Sequence, residues 1–256
     1  MNGRTRAILA RMLPPLVPAV LIIVALELLV RGGAIAPFLV PRPSRIARTL
    51  LTEGDVWAAA ARTGIAAGTG FVASAIVGIL IAVLLSSARW LERAIYPYAI
   101  FFQTVPIVAI APLLVIWIGF DIRTVIASAF IVSVFPVIAN TLAGLLSTEP
   151  ALRDLFRLYG AGPVATLLKL RLPAAMPAIF TGLRVAGGLA VIGAVVGEFI
   201  TAKGIGDLIA VSRQQQRVDK VFAVLLLAAG LGIVLFALIN VASALVLRNW
   251  HPSEKR

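Results

Sequence analysis

The chain has no cysteine and a single histidine, His251, beside Pro252. The first absence excludes disulfides, thiolate nucleophiles and cysteine-ligated metals; the second leaves no histidine pair for a zinc site. Charge is scarce as well, at 13% of 256 residues, against about 25% in an average soluble domain. Acids are the scarcer sign: 11 Asp and Glu face 23 Lys and Arg, for a net charge of +12. None of the four lysines, Lys169, Lys203, Lys220 and Lys255, follows a glycine. The nucleotide-binding pattern G-x-x-x-x-G-K-[ST] is therefore missing. No catalytic cluster and no metal-ligand set is visible, so no catalytic residue is expected, nor a cofactor bound by this chain.

What is present is apolar. Hydrophobic residues make up 61% of the sequence, and mean hydropathy is +1.03. That composition excludes a disordered chain, a coiled coil and an ordinary cytosolic enzyme. The cations sit between long apolar runs, where they orient a membrane chain and meet lipid headgroups. Nucleic acid is not an expected partner.

A bilayer-spanning helix needs about 20 mostly apolar residues. Six runs qualify, at 12–30, 64–85, 95–119, 125–146, 176–199 and 222–247. They predict an all-α polytopic membrane protein, with a transmembrane domain over 12–247 between short tails, 1–11 and 248–256. The third run carries Pro97, Pro106 and Pro112 and cannot be a straight rod. The stretch 44–61 reads as a surface helix, with Ile46, Leu50 and Trp57 on one face and Arg45, Arg48 and Thr49 on another. Small residues recur at Gly64, Gly68, Gly70, Ser74 and Gly78, and at Gly182, Ala186, Ala190 and Ala194, with Gly193 and Gly197 beside them. Such faces let helices approach closely in lipid, within one chain or across a two-fold axis to a second copy. Counting Lys and Arg by side gives 12 against 10 in favour of both termini being cytoplasmic.

The longest stretch between spans on that side is 147–173. Ser147 or Thr148 can cap a helix there, with Glu149 and Pro150 in its first turn. Leu152, Leu155, Phe156 and Tyr159 fall at i, i+3, i+4 and i+7, an apolar stripe, and Arg153, Asp154 and Arg157 lie elsewhere on the helix. Gly160 suits a left-handed stop. Gly162-Pro163 then turns the chain into a second short helix through Leu170, and Pro173 marks entry to the fifth span. The product is a helix–turn–helix elbow. On physical grounds it either lies on lipid or docks a soluble partner through its stripe.

The elbow resembles the cytoplasmic coupling loop of ABC-importer permeases of the binding-protein-dependent kind. The matching positions are Asp154, Leu155, Phe156, Gly160 and Leu170-Arg171-Leu172-Pro173, with 13 positions from Gly160 to Pro173. Asp154 stands for the family's glutamate, and Leu155 and Phe156 for its two alanines. Stretches 41–50, 103–120, 134–145 and 172–199, then Gly204 and Gly206, are similar to the nitrate, sulfonate and taurine branch. The last stretch is also similar to permeases for thiamine-pyrimidine precursors and riboflavin. The resemblance implies a type I ABC importer permease fold in the inner or plasma membrane of a prokaryote, with both termini cytoplasmic. It implies a cytoplasmic ATPase that binds ATP and Mg, an extracytoplasmic solute-binding protein, and a second permease copy, as a homodimer where no sister subunit exists. The cargo would be a small solute: a sulfonate, nitrate, or a vitamin or pyrimidine precursor.

Polar residues within spans usually face the bundle interior. Gln103, Asn140, Arg184 and Glu198 are therefore candidates to line a translocation path, with Asn240 and, in the first run, Glu27. Arg184 and Glu198 are 14 residues apart, about 21 Å along a helix. They cannot pair within one helix, and each is equally readable as a structural partner of another span. The alternative function, an ATP-independent secondary transporter or channel, should show internal repeats or coupling carboxylates deep in the spans. No repeat is visible, and Glu198 is the one well-placed acid of the later spans.

Overall fold

The computed structural model describes residues 3–201 and 203–247, with the side chains of 3–13, 15, 16, 89, 99, 100, 102 and 103 outside the description. The predicted C-terminal tail, 248–256, lies outside the described residues.

Eleven α-helices follow one another among these residues, with no strand. They are α1 (Gly3–Arg31), α2 (Pro43–Thr52), α3 (Gly54–Leu85), α4 (Arg89–Thr104), α5 (Ile107–Ile118), α6 (Ile122–Leu146), α7 (Pro150–Leu158), α8 (Pro163–Thr166), α9 (Leu172–Thr201), α10 (Ile205–Gln214) and α11 (Val218–Leu247). A π-turn, Leu167–Arg171, joins α8 to α9 without a break, so Pro163–Thr201 is one helix of 39 residues. Among the described residues, four helices are long and apolar enough to cross a bilayer: α3, α6, the joined α8–α9 and α11. The first predicted run lies inside α1, which already starts at Gly3 within the expected tail.

Three expectations need correcting. The third run is two helices: Val105 and Pro106 are extended and separate α4 from the shorter apolar α5. Pro106 has no N–H to continue the first helix, yet its fixed φ suits the residue before a second. The surface helix stops at Thr52, Glu53 is extended, and residues from Gly54 on belong to the spanning helix α3. Thr49, placed by pattern on the outer face, is buried beside Ile46 and donates to Asp219 Oδ2 at 3.0 Å. Pro173 marks no break in the chain either: it falls in the first turn of α9, inside a helix that runs on continuously from the elbow into the span.

The bundle is built on α6, packed between α3 and α9. Small residues bring these backbones together. A Cβ added to Gly70 of α3 would lie 2.6 Å from Ala129 Cβ of α6. One added to Gly193 of α9 would lie 2.7 Å from the Ser128 carbonyl oxygen. Ala66, Ala67, Ala129, Ala190 and Ala194 fill the central seam with Val125 and Val191. Gly70, Gly78, Gly182, Gly193 and Gly197 thus face neighbouring helices of the same chain, whereas Gly68 has open space around it. The outer surfaces of α1 and α11 carry exposed Leu, Ile, Val and Phe, among them Leu21, Ile22, Ile233 and Phe236. An apolar exterior of this kind is stable in hydrocarbon, where aliphatic side chains meet a solvent as apolar as themselves.

The C-terminal ends of α3 and α6 and the start of α9 share one face with α7, the elbow face. The starts of α3 and α11 share the opposite face with α2 and α10. There Glu53 accepts from Arg217 and pairs with Lys220 Nζ at 2.9 Å. This joins the start of α3 to the loop before α11. The Arg217 guanidinium holds the Glu53 carboxyl down at about 2, against an ordinary 4.5.

Candidate functional site

The elbow is made of α7, a turn and the start of the long helix. Glu149 is extended and Pro150 opens α7, but no side chain caps it. At its other end Gly160 has φ +70°, and Ala161 N–H reaches back to Phe156 O at 2.9 Å. That is the left-handed stop for which glycine is suited. Gly162 is extended, and Pro163 starts the next helix.

No residue of α7 is buried. Leu152 and Leu155 are exposed, Phe156 is half-buried and Tyr159 is 83% exposed. The sequence stripe missed Leu158, which is 85% exposed, and Val164 and Leu168 continue the apolar surface past the turn. Leu158 is one turn beyond Leu155, and the i, i+3, i+4 rule started at Leu152 simply does not reach it. Asp154 and Arg157 form an exposed ion pair at 3.6 Å, a contact of little energetic weight in water. Leu170, Leu172 and Pro173 are half-buried where the long helix enters the bundle. The elbow therefore presents an apolar knob outward and anchors itself through its base.

The anchor was not read from the sequence. Arg153 turns back and donates from Nε and Nη2 to the Thr148 carbonyl, at 3.0 and 2.6 Å, and from Nη2 to Leu146 O at 2.8 Å. Arg171 donates from Nε to Leu145 O and from Nη2 to Ser86 O, both at 3.2 Å.

The proposed path residues are held apart. Arg184 of α9 donates to Asn240 Oδ1 at 2.7 Å and to Ser243 Oγ at 2.9 Å, both on α11. Asn140 is half-buried at the α6–α9 seam, its Nδ2 donating to Pro136 O at 2.9 Å. The Gln103 side chain lies outside the described residues; its backbone is in the last turn of α4, just before the Val105-Pro106 break. Glu27 accepts from Ser44 N–H and Oγ and from Arg31, tying α1 to α2.

Glu198, 3% exposed, accepts from Thr63 Oγ1 at 2.7 Å and from Gly206 N–H at 3.0 Å. Ile205 N–H in turn donates to Thr63 Oγ1 at 3.0 Å. A Cβ added to Gly204 would lie 2.0 Å from Glu198 Oε1, so any side chain there would push the carboxylate out of its place. The carboxylate thus fastens α10 across the ends of α3 and α9. It also borders a cavity of about 380 Å³ on the far face, lined by Arg62, Asp121, Thr201 and Lys203. Thr63, Arg62 and Lys203 carried no signal in the sequence beyond polarity near a span end.

Known proteins resemble this chain in sequence and in fold. Residues 70–248 match the family described as binding-protein-dependent transport system inner membrane component. The chain is 32% identical over 228 residues to a probable ABC transporter permease protein of Haemophilus influenzae, covering 88% of this chain and 93% of that one. It is 36% identical over 207 residues to a formylaminopyrimidine transport permease protein of Halalkalibacterium halodurans, covering 80% and 83%. It is 30% identical over 230 residues to a putative aliphatic sulfonates transport permease protein of Bacillus subtilis, covering 88% and 80%. Among solved structures, a chain of the MetNI methionine ABC transporter, inward facing, has a similar fold. Its TM-score is 0.59 over 80% of this chain and 98% of that one, at 21% identity.

Proposed function

This chain belongs to the binding-protein-dependent inner membrane components of ABC transporters, and from that premise we propose that it forms the solute path of an ATP-driven importer and docks a separate ATPase through its elbow. The observation that carries this reading is the knob of α7. Leu152, Leu155, Leu158 and Tyr159 are exposed at the tip of an element joined at Gly160 to a 39-residue helix. A short amphipathic helix is a natural ligand for a groove on a soluble partner. ATP binding there closes the ATPase pair, and the spans follow as rigid bodies. ATP and Mg belong to that partner, and this chain is a transport subunit without hydrolytic chemistry of its own.

Two copies of the chain would enclose the path, in the inner membrane of a prokaryote with both termini cytoplasmic. A solute-binding protein would deliver cargo to the far face. Glu198, Arg184, Asn140 and Gln103 are proposed to shape that path by holding its walls. The cargo is proposed as a small solute of the sulfonate, nitrate or vitamin-precursor kind, in keeping with relatives named for formylaminopyrimidine and aliphatic sulfonates.

The test is capture. A tagged chain, expressed in its own host and purified in mild detergent, should bring down a P-loop ATPase. Leu155→Arg should abolish that capture and leave the chain monodisperse in detergent. Retention of the ATPase by the variant, or labelling of α7 from outside intact cells, would defeat the proposal.

A further inference from the structure

At the elbow face, α3 and α6 end side by side. The last carbonyls of a helix have no partner within it and carry the negative end of its dipole. Here they are met by the two elbow arginines. Arg153 holds Leu146 O at the end of α6 and Thr148 O just past it, and Arg171 bridges Leu145 O of α6 to Ser86 O just past α3. The two guanidiniums come from opposite arms of the elbow, one from α7 and one from the π-turn. A π-turn inserts an extra residue into a helix and re-aims the side chains that follow, and such turns cluster at functional sites. Arg171 is the last residue of this one. Among the described residues, these are the side-chain hydrogen bonds that tie the elbow to α3 and to the end of α6 beyond the cap itself. The apolar side of α7, by contrast, packs on nothing that buries it.

We propose that Arg153 and Arg171 are positioning residues: a two-arginine strut that makes the elbow and the ends of α3 and α6 move as one body. The proposal rests on the importer reading and adds the route by which motion at the elbow reaches two spans other than the one it continues into. The chemistry favours this role over mere capping. A planar guanidinium with several donors spans two acceptors at fixed angles, which a lysine ammonium cannot do. Each arginine here bridges carbonyls of different residues, and Arg171 bridges two helices. The remaining carbonyl contacts on this face are short-range, such as Ser147 Oγ to Gly144 O and Ser86 Oγ to Val83 O within single helices. They hold a helix end together without connecting it to the elbow.

The absence of cysteine makes the test direct, since A151C and S87C are unique labelling sites on exposed side chains outside the docking knob. Spin labels there report the distance from the start of α7 to the end of α3 within one subunit. The assembled importer in nanodiscs is measured without nucleotide and after trapping with ATP and vanadate. With both arginines present the short-distance peak should stay fixed between the two states. In Arg171→Met it should shift or broaden on trapping, while the ATPase still co-purifies. Arg171→Lys, which keeps the charge and loses the fork, should behave as Met does. ATP hydrolysed per solute carried should rise at least about tenfold in Arg171→Met, the loss equivalent to one charge-assisted hydrogen bond. Arg153→Met serves as the second variant if Arg171→Met does not assemble. An unchanged peak and unchanged stoichiometry in the Met variants would overturn the strut. So would full rescue by Lys, which would reduce the residue to a charge at a helix end. Failure of the unsubstituted chain to capture an ATPase would instead sink the importer reading, a result read from a different lane of the same purification.

Discussion

Glu198 is buried with two donors pointed at it, and removing the acceptor strands Gly206 N–H, while Thr63 Oγ1 keeps only Ala59 O to donate to, at 3.1 Å. Glu198→Leu leaves Gly206 N–H and Thr63 Oγ1 with less to bond to. An unsatisfied buried group costs about 1–3 kcal/mol, so this variant should melt earlier in detergent. Glu198→Gln keeps an acceptor oxygen and should lose less; equal losses would mean that the hydrogen bonds do not matter. Arg184→Leu should likewise loosen α11 from α9 by freeing Asn240 and Ser243, which accelerated proteolysis of the last span would reveal. At this scale the sequence pointed to the polar residues of the spans and not to the contacts that hold them. Polarity inside an apolar run singled out Glu198, Arg184 and Asn240. Nothing in the pattern paired Glu198 with Thr63, 135 positions away, because that contact exists only once α3 and α9 pack.

Elements are held by their ends. Glu53 sits at the joint of α2 and α3 and binds Arg217 in the loop before α11. Its folded value, about 2, lies below its ordinary 4.5, so the folded chain takes up this proton less readily than the unfolded one. The stabilisation is complete above 4.5 and disappears as pH falls through about 2. The stability gap between the natural chain and Glu53→Gln should therefore shrink over that window in melting scans, and a pH-independent gap would contradict the assignment. The period of α7 was legible because its apolar positions recur on one face with charges between them. The stop at Thr52 was not: Ile46, Leu50 and Trp57 keep a helical rhythm across a break that only the extended Glu53 creates. Nor was the π-turn, which has no composition of its own and is imposed where the elbow arm joins α9.

The whole bundle depends on how closely three helices approach. Gly193→Val would drive a side chain into the Ser128 carbonyl, an overpacking of about 1–3 kcal/mol. Gly188→Ala, on the same helix with open space around it, should be neutral. Expression level and detergent melting of the pair would show whether the α6–α9 seam governs stability. The apolar runs made the fold class readable, since a chain so poor in charge has few other ways to bury its surface. The division of the third run was half readable: the prolines ruled out a straight rod, with the break at Val105-Pro106, but did not say that two separate helices would result. The union of elbow and fifth span was not readable at all, since Pro173 in the sequence looks like an entrance and in the structure is passed without interruption. A helix of 39 residues at 1.5 Å per residue measures about 58 Å, nearly twice the hydrocarbon thickness of a bilayer. On the proposed coupling it would work as an oar through the membrane: a swing of about 5° about one end would carry the other through about 5 Å, the width of a small solute.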